Sequence, residues 1–119
     1  MKFAVTSQGP DRESLVDPRF GRARFFRVID SETGQQTVVD NASRVDAVQG
    51  AGIQAAQALA SLGVQALVTG HVGPKAWATL QAARIEVYGV DGGTVAQAME
   101  AFMARKLAPL SGANVEGHW

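Results

Sequence analysis

Gly70-His71-Val72-Gly73-Pro74-Lys75-Ala76-Trp77 is the stretch from which the fold can be read. It follows a short apolar run at residues 64–68 and precedes a segment whose apolar residues recur at helical spacing as far as Ala83. That order predicts a buried β-strand, a tight glycine turn and an α-helix. Pro74 suits the first turn of a helix, because the N–H group that proline lacks would have no intrahelical partner there. The turn is either a plain connection or a place where helix N–H groups meet an anion.

The rest of the chain alternates strand and helix patterns around this unit. Strands are predicted at residues 3–6, 25–30, 36–40, 64–68 and 85–88, and helices are predicted to begin near Gly50, Pro74 and Thr94. Ser31-Glu32-Thr33-Gly34 is a turn signal that joins the second and third strands as a hairpin. The order β-β-β-α-β-α-β-α predicts an α/β fold, with a mixed five-stranded sheet (an antiparallel hairpin plus parallel strands) and three helices.

Length and composition restrict the class of protein. A chain of 119 residues is enough for one domain, which we expect to span residues 1–107 and to be followed by a tail at 108–119. No apolar run approaches the roughly 18 residues that a membrane span needs, and the N-terminus lacks a signal-peptide pattern, so we expect a cytoplasmic protein without a membrane partner. Eleven basic residues balance eleven acidic ones, so net charge does not favour binding to nucleic acid.

The chain contains no cysteine. This excludes disulfides, thiolate nucleophiles and cysteine-ligated metal clusters. The remaining soft or borderline metal ligands are His71, His118, Met1, Met99 and Met103, which are too few for a conventional transition-metal cage. Met99 and Met103 lie one turn apart on the last predicted helix, where methionines and aromatic residues at this spacing are typical of a hydrophobic core.

Three glycine-bearing loops follow the predicted parallel strands. They are Thr6-Ser7-Gln8-Gly9, Gly70-His71-Val72-Gly73 and Gly89-Val90-Asp91-Gly92-Gly93. In sheets of this kind ligands bind beyond the carboxyl ends of the parallel strands. We therefore expect the three loops to meet at one end of the sheet and to line a shared cleft.

The chain lacks the residues that several classes of enzyme and nucleotide-binding protein need at this end of the sheet. Ser7 and His71 could meet as nucleophile and base, but the chain has no G-x-S-x-G elbow and no evident acidic partner. A metal-dependent nuclease of this architecture requires carboxylates on its strands to hold metal ions, and the first strand here has none. Neither a Walker A motif nor G-x-G-x-x-G is present, so no nucleotide is expected.

Binding of an anion fits the residues better. Four arginines stand against one acid between Asp17 and Arg27: Arg19, Arg22, Arg24 and Arg27. Guanidinium groups and helix N-termini both favour multiply charged anions without covalent ligation. Lys75 in the first turn of a helix opposes the helix dipole, and a bound anion would offset this. Two alternatives stay open: the arginines form a solvated strand face, and His71 ligates a metal, donates to a sulfide or oxo ligand, or caps the turn.

Three motifs resemble a known family. They are Val16-Asp17-Pro18-Arg19-Phe20-Gly21-Arg22, Gly50-Ala51-Gly52-Ile53-Gln54-Ala55-Ala56 and Gly70-His71-Val72-Gly73-Pro74. With these motifs in this order, residues 2–107 resemble the dinitrogenase iron–molybdenum cofactor biosynthesis family. The resemblance implies a ribonuclease H-like fold that carries or inserts molybdenum-containing metal–sulfur cofactors and is not used for hydrolysis.

The chain departs from this family at two positions. Members often have cysteine where this chain has Ala23, and some carry histidine where it has Arg19. For a cysteine-free, arginine-rich member the resemblance implies a molybdenum–copper sulfide cluster, a thiomolybdate-type polyanion held non-covalently, with inorganic sulfides as the metal ligands. It implies no enzymatic activity, no nucleotide and no haem. The alternative is a protein–protein adaptor that works with ATPases and has no cofactor of its own.

The predicted site follows from the loops, the arginines and the family motifs together. The expected cofactor-binding residues are Thr6, Ser7, Gly9, Arg19, Phe20, Gly21, Arg22, Arg24, Gly50, Ala51, Gly52, Gly70, His71, Val72, Gly73, Pro74 and Lys75. His71 is the candidate metal ligand, and no catalytic residue is expected.

Overall fold

The computed structural model describes residues 1–41 and 50–114, and within these ranges the chain forms five strands and three helices. The strands are β1 (Lys2–Ser7), β2 (Phe25–Asp30), β3 (Gln36–Asp40), β4 (Val64–Thr69) and β5 (Glu86–Gly89). The helices are α1 (Ala51–Ser61), α2 (Pro74–Ala82) and α3 (Val95–Met103). The predicted order of strands and helices is confirmed.

The five strands form one mixed sheet in the order β3-β2-β1-β4-β5. β2 pairs antiparallel with β1 and β3, whereas β4 pairs parallel with β1 and β5. Phe25 lies opposite both Ser7 and Asp40, so the carboxyl ends of β1, β3, β4 and β5 lie together. We call this the carboxyl end of the sheet, and the other, where Lys2 and Glu86 begin their strands, the amino end.

The sheet has a hydrophobic core on each face. β1 alternates between them: Ala4 packs with the residues of α1 and α2, and Phe3 and Val5 pack with those of α3. Phe3, Ala4 and Val5 are fully buried, as expected for the central strand of a sheet covered on both faces. Each large side chain buried this completely contributes about 1.5–3 kcal/mol to folding.

The helix ends follow the local signals in the sequence. The Thr94 side chain accepts a hydrogen bond from the Gln97 N–H at 3.2 Å, and the Gln97 side chain accepts one from the Thr94 N–H at 2.9 Å. This is the capping box that the sequence predicts for α3. Gly63 adopts a φ of 78° just beyond α1, a conformation that glycine tolerates best.

The predicted core of α3 needs one correction. Met99 is buried, but Met103 is 53% exposed. Met103 is the last residue of α3, at the margin of its apolar stripe, and its side chain lines a groove at the amino end of the sheet.

The first part of the predicted tail contacts the domain. The Leu110 N–H donates to the Val87 carbonyl at 2.7 Å, and the Leu110 side chain packs on the core shared by α1 and α2. The boundary at residue 107 stays a prediction, and His118 lies outside the described residues. In the described ranges, no helix has the length and apolar character needed to cross a bilayer.

Candidate functional site

A long loop, residues 8–24, crosses the carboxyl end of the sheet. On the α3 side, the Val16 N–H donates to the Gly93 carbonyl and the Val95 N–H donates to the Ser14 carbonyl, both at 2.9 Å. On the other side, Phe20 and Ala23 are buried in the core that α1 and α2 cover. The loop therefore joins the two faces of the sheet across the ends of β1 and β4.

Two buried threonines hold this crossing in place. The Thr6 hydroxyl donates to the Asp17 carbonyl at 2.7 Å and shares a hydrogen bond with the Thr69 hydroxyl at 2.8 Å. Thr6 and Ser7 are both predicted site residues, and both are buried. Their hydroxyls bond to the loop itself, since the Ser7 hydroxyl donates to the Gly9 carbonyl at 2.5 Å. The structure thus gives these side chains a supporting position beneath the loop.

The loop also fixes the backbone of His71. The His71 N–H donates to the Pro18 carbonyl at 2.7 Å, and the His71 carbonyl accepts from the Phe20 N–H at 3.2 Å. Gly70 lies so close to the loop that an added Cβ would sit 2.9 Å from the Pro18 Cα. Glycine is therefore required at position 70 by close packing of backbone on backbone.

Asn114 holds the same segment from the opposite side. Its side-chain oxygen accepts from the Val72 N–H at 2.8 Å, and its side-chain amide donates to the Gly70 carbonyl at 2.9 Å. Its backbone N–H donates to the Val72 carbonyl at 3.1 Å. The sequence offers no signal for this role, because Asn114 is 42 residues from Val72 and belongs to no motif.

The three loops predicted to converge do meet at this end. A cleft of about 330 Å³ is lined by Gln8, Leu15, Val16, Pro18, His71, Val90, Asp91, Gly92 and Gly93. Each of the three loops contributes to it, and His71 is the member of the predicted site set that lines it. The loop at 89–93 was expected to contribute, whereas Leu15 reaches the cleft only because of the path of the crossing loop.

A second part of the predicted set lies where α1 and α2 begin. An added Cβ on Gly52 would sit 2.8 Å from the Ala76 Cβ, so the first turns of the two helices are in contact. Their N-cap residues, Gly50 and Gly73, have no side chain that accepts a hydrogen bond from the helix. Lys75 is exposed beside them. Two helix N-termini whose N-cap residues are glycine therefore lie side by side, each carrying partial positive charge.

The predicted arginines are less available than the sequence suggests. The Arg19 Nε lies 3.5 Å from the buried Asp17 carboxylate, and the Arg24 Nε lies 3.3 Å from the Asp40 carboxylate. Arg19 and Arg24 nevertheless remain 46% and 55% exposed. Arg22 is half-buried. Part of the positive charge of this region is thus balanced by acids that the chain itself supplies.

Several predicted residues of the crossing loop and of the segment around His71 are buried. The Phe20 ring is 1% exposed and stacks on Phe26 with ring centroids 5.9 Å apart. Gly21, Gly70, Val72 and Gly73 are buried as well. Arg27, further along β2, bonds to Gln36 and to the Pro10 carbonyl, and burial followed by the charge of Arg12 lowers its pKa. The arrangement thus presents N–H groups, lysine and histidine to a ligand more readily than it presents the aromatic ring.

The metal-ligating groups at this end are sparse. In residues 1–41 and 50–114, no three or more histidine, cysteine, aspartate or glutamate side chains lie together as they would to hold a metal ion. The exposed His71 imidazole is a single donor. A metal bound here would therefore need most of its ligands from another source.

Comparison with known proteins gives consistent matches over nearly the whole chain. A model of the dinitrogenase iron–molybdenum cofactor family matches residues 1–105. The apo orange protein from Desulfovibrio gigas superposes with a TM-score of 0.92 at 46% identity, over 96% of each chain. A candidate NifB protein from Thermotoga superposes with a TM-score of 0.86 at 39% identity, over 98% of each chain. An uncharacterised protein from Methanocaldococcus jannaschii is 27% identical over 90% of this chain and 89% of its own length.

Proposed function

This chain belongs to the dinitrogenase iron–molybdenum cofactor family, and we propose that it binds and carries a molybdenum-containing metal–sulfur cluster without catalysing a reaction. The cluster that suits the residues best is a molybdenum–copper sulfide, a thiomolybdate-type polyanion held non-covalently. The similarity to the orange protein, whose structure was solved as the apo form, supports a member of this family that takes up a ligand.

The observation that carries the proposal is the contact between the N-termini of α1 and α2. The Gly52–Ala76 approach brings together two helix N-termini whose N-cap residues are glycine, and Lys75 adds a full positive charge beside them. Helix N-termini bind anions through backbone N–H groups and the helix dipole. A multiply charged anion gains from both helices at once, so we assign the cluster to this surface.

Because the chain has no cysteine, the cluster must contain its own sulfur ligands. A cluster whose metals are already ligated by inorganic sulfide needs charge and hydrogen bonds from the protein, and no thiolate. His71 is exposed, its N–H donates to the Pro18 carbonyl, and its two neighbours Gly70 and Val72 bond to Asn114. His71 is the candidate direct ligand. Asp91 in the adjoining cleft disfavours a polyanion there, which is why we assign the cluster to the helix side.

The proposal is tested by loading the purified protein. Tetrathiomolybdate and copper(I) are added without oxygen, and the protein is separated by gel filtration. We expect molybdenum and copper to elute with the protein and to give a visible charge-transfer band.

Matched lysine variants test the assigned surface. Lys75→Gln should weaken retention about fivefold, because it removes one charge next to the helix N-termini. Lys106→Gln, beyond the C-terminus of α3, removes the same charge elsewhere and should leave retention unchanged. Equal effects of the two variants would argue against this surface. Absence of both metals from the protein peak would contradict the proposal and favour an adaptor that works with ATPases without its own cofactor.

A further inference from the structure

A second surface lies at the amino end of the sheet, away from the candidate cluster site. An open groove of about 790 Å³ passes between the C-termini of α2 and α3. Its lining includes Arg84, Glu86, Tyr88, Phe102, Met103 and Arg105. The groove therefore combines two arginines and one glutamate with apolar side chains.

The two arginines occupy positions that normally favour glycine. All three helices are followed by a residue of positive φ: Gly63 at 78°, Arg84 at 60° and Arg105 at 58°. Among the described residues, Arg84 and Arg105 are the non-glycine residues with positive φ. The left-handed conformation is unfavourable for an arginine because its Cβ crowds the backbone.

Both arginines complete the same helix-ending motif. After α2, the Ile85 N–H donates to the Leu80 carbonyl at 2.9 Å and the Arg84 N–H donates to the Gln81 carbonyl at 3.0 Å. After α3, Lys106 and Arg105 make the equivalent bonds at 2.9 and 3.0 Å. This is the Schellman arrangement, whose left-handed residue is usually glycine.

The helix dipole does not account for the choice of arginine. A cation near a helix C-terminus is favourable, but that applies to α1 as much as to α2 and α3. α1 ends with Gly63, which does not line the groove, whereas the two helices that border the groove end with arginine. The strained conformation is thus found at the two helix ends whose arginines line the groove.

The apolar part of the groove is held rigidly by aromatic contacts. The Tyr88 and Phe102 rings meet edge to face, with their centroids 5.1 Å apart. The centroid of the Phe102 ring lies 4.3 Å from that of the buried Phe3 ring. The Tyr88 hydroxyl donates to the Glu86 carboxylate at 2.7 Å. Met103, 53% exposed, adds a flexible apolar side chain.

We infer that this groove docks an acidic, amphipathic segment of a partner protein, with carboxylates on Arg84 and Arg105 and an apolar side chain against Phe102 and Met103. An inorganic anion could bind the arginines but would make no apolar contact with the Tyr88 and Phe102 rings. A small organic molecule would stay largely exposed in so open a groove, whereas small-molecule sites bury most of their ligand. Because the groove and the candidate cluster site lie at opposite ends of the sheet, a partner held here leaves the carboxyl end accessible.

A synthetic peptide in which Asp and Glu alternate with Phe and Leu serves as the probe, added to the cluster-free protein. Tyr88 is the single tyrosine, so its labelled ring gives one set of NMR signals from the groove. We expect these signals to shift and those of His71 to stay unchanged. A peptide with lysine in place of the acids, and one with serine in place of the apolar residues, should both fail to bind.

Substitution by glycine separates binding from stability. The double variant Arg84→Gly, Arg105→Gly should bind the peptide about tenfold more weakly or worse, while its thermal midpoint stays the same or rises. Gly63→Arg should lower the midpoint and leave peptide binding unchanged.

Four outcomes would overturn the inference. They are no shift at Tyr88, equal binding of the serine peptide, undiminished binding by the double glycine variant, and peptide-independent dimers that already cover the groove. The last would identify a second copy of the chain as the occupant. Because the experiment uses cluster-free protein, failure here leaves the cluster proposal standing.

Discussion

The two ends of the sheet differ in which residues occupy the positions that favour glycine. At the carboxyl end, Gly70 stands where a Cβ would sit 2.9 Å from the Pro18 backbone, so residue type and local backbone agree. At the amino end, Arg84 and Arg105 stand where the backbone favours glycine. Where the residue type agrees with the local backbone, packing determines the residue. Where the two conflict, as at Arg84 and Arg105, we infer that the side chain is needed despite the cost of its backbone conformation.

The largest effect is expected from Gly70→Ala. The new methyl group would press on the Pro18 Cα and carbonyl, both of which are fixed by the crossing loop, so we expect a loss of about 3 kcal/mol in unfolding free energy. Gly112→Ala is the control, since a Cβ there meets nothing within 4 Å. Urea denaturation measures both. Similar losses in the two variants would show that close approach at Gly70 is not the cause.

Asn114→Ala should have a smaller effect at the same end. It removes the hydrogen bonds to Gly70 and Val72, at a cost of about 1–2 kcal/mol, and should speed amide exchange at Val72. Asn114→Asp keeps the acceptor for the Val72 N–H and loses the donor to Gly70, so we expect an intermediate result. Unchanged exchange at Val72 in the alanine variant would mean that the loop is held without Asn114.

Substitutions at the helix ends measure how much stability arginine loses in the left-handed conformation. Gly63→Arg should destabilise the protein by about 1 kcal/mol, because it places arginine in the left-handed region. Arg84→Gly should stabilise it by up to about 1 kcal/mol. Thermal and chemical unfolding check both. A stabilising Gly63→Arg would remove the argument that the two arginines are under strain.

The smallest effect concerns the Tyr88 phenol. Its hydrogen bond to the Glu86 carboxylate, then burial and the negative charge of Glu86, raise the pKa of Tyr88 above its usual value of 10.0. The raised pKa favours the folded state below about pH 10, and this contribution is lost as the pH rises through the folded-state pKa.

Ultraviolet absorbance of the single tyrosine follows this titration directly. Glu86→Gln should lower the midpoint toward the usual value, because it removes the carboxylate. An unchanged midpoint would show that Glu86 does not act on Tyr88 in solution.

Much of the fold could be predicted because local patterns and tertiary structure coincide. The β2–β3 hairpin, the capping box at Thr94 and the stop at Gly63 each depend on residues close in sequence. The meeting of the three glycine loops followed from the rule that parallel strands share a carboxyl end. These features need no knowledge of long-range contacts.

The parts that could not be predicted depend on contacts between distant segments. Nothing in the sequence pairs Asn114 with Val72, or shows that Thr6 turns inward to hold the Asp17 carbonyl. Asp40 was not counted among the acids near the arginines, because it lies on another strand. Met103 was assigned to the core because periodicity does not show where the covering elements end.

A single NMR titration tests most directly the claim that the carboxyl end binds the cluster. Tetrathiomolybdate and copper(I) are added without oxygen to protein with labelled backbone amides and labelled tyrosine and histidine rings. His71 is assigned with a His118→Gln variant. Molybdenum(VI) and copper(I) are closed-shell ions, so the signals stay sharp. We predict that the His71 ring and the Lys75 and Ala76 amides shift while Tyr88 is unaffected. Shifts at Tyr88 with none at His71, Lys75 or Ala76 would contradict the account.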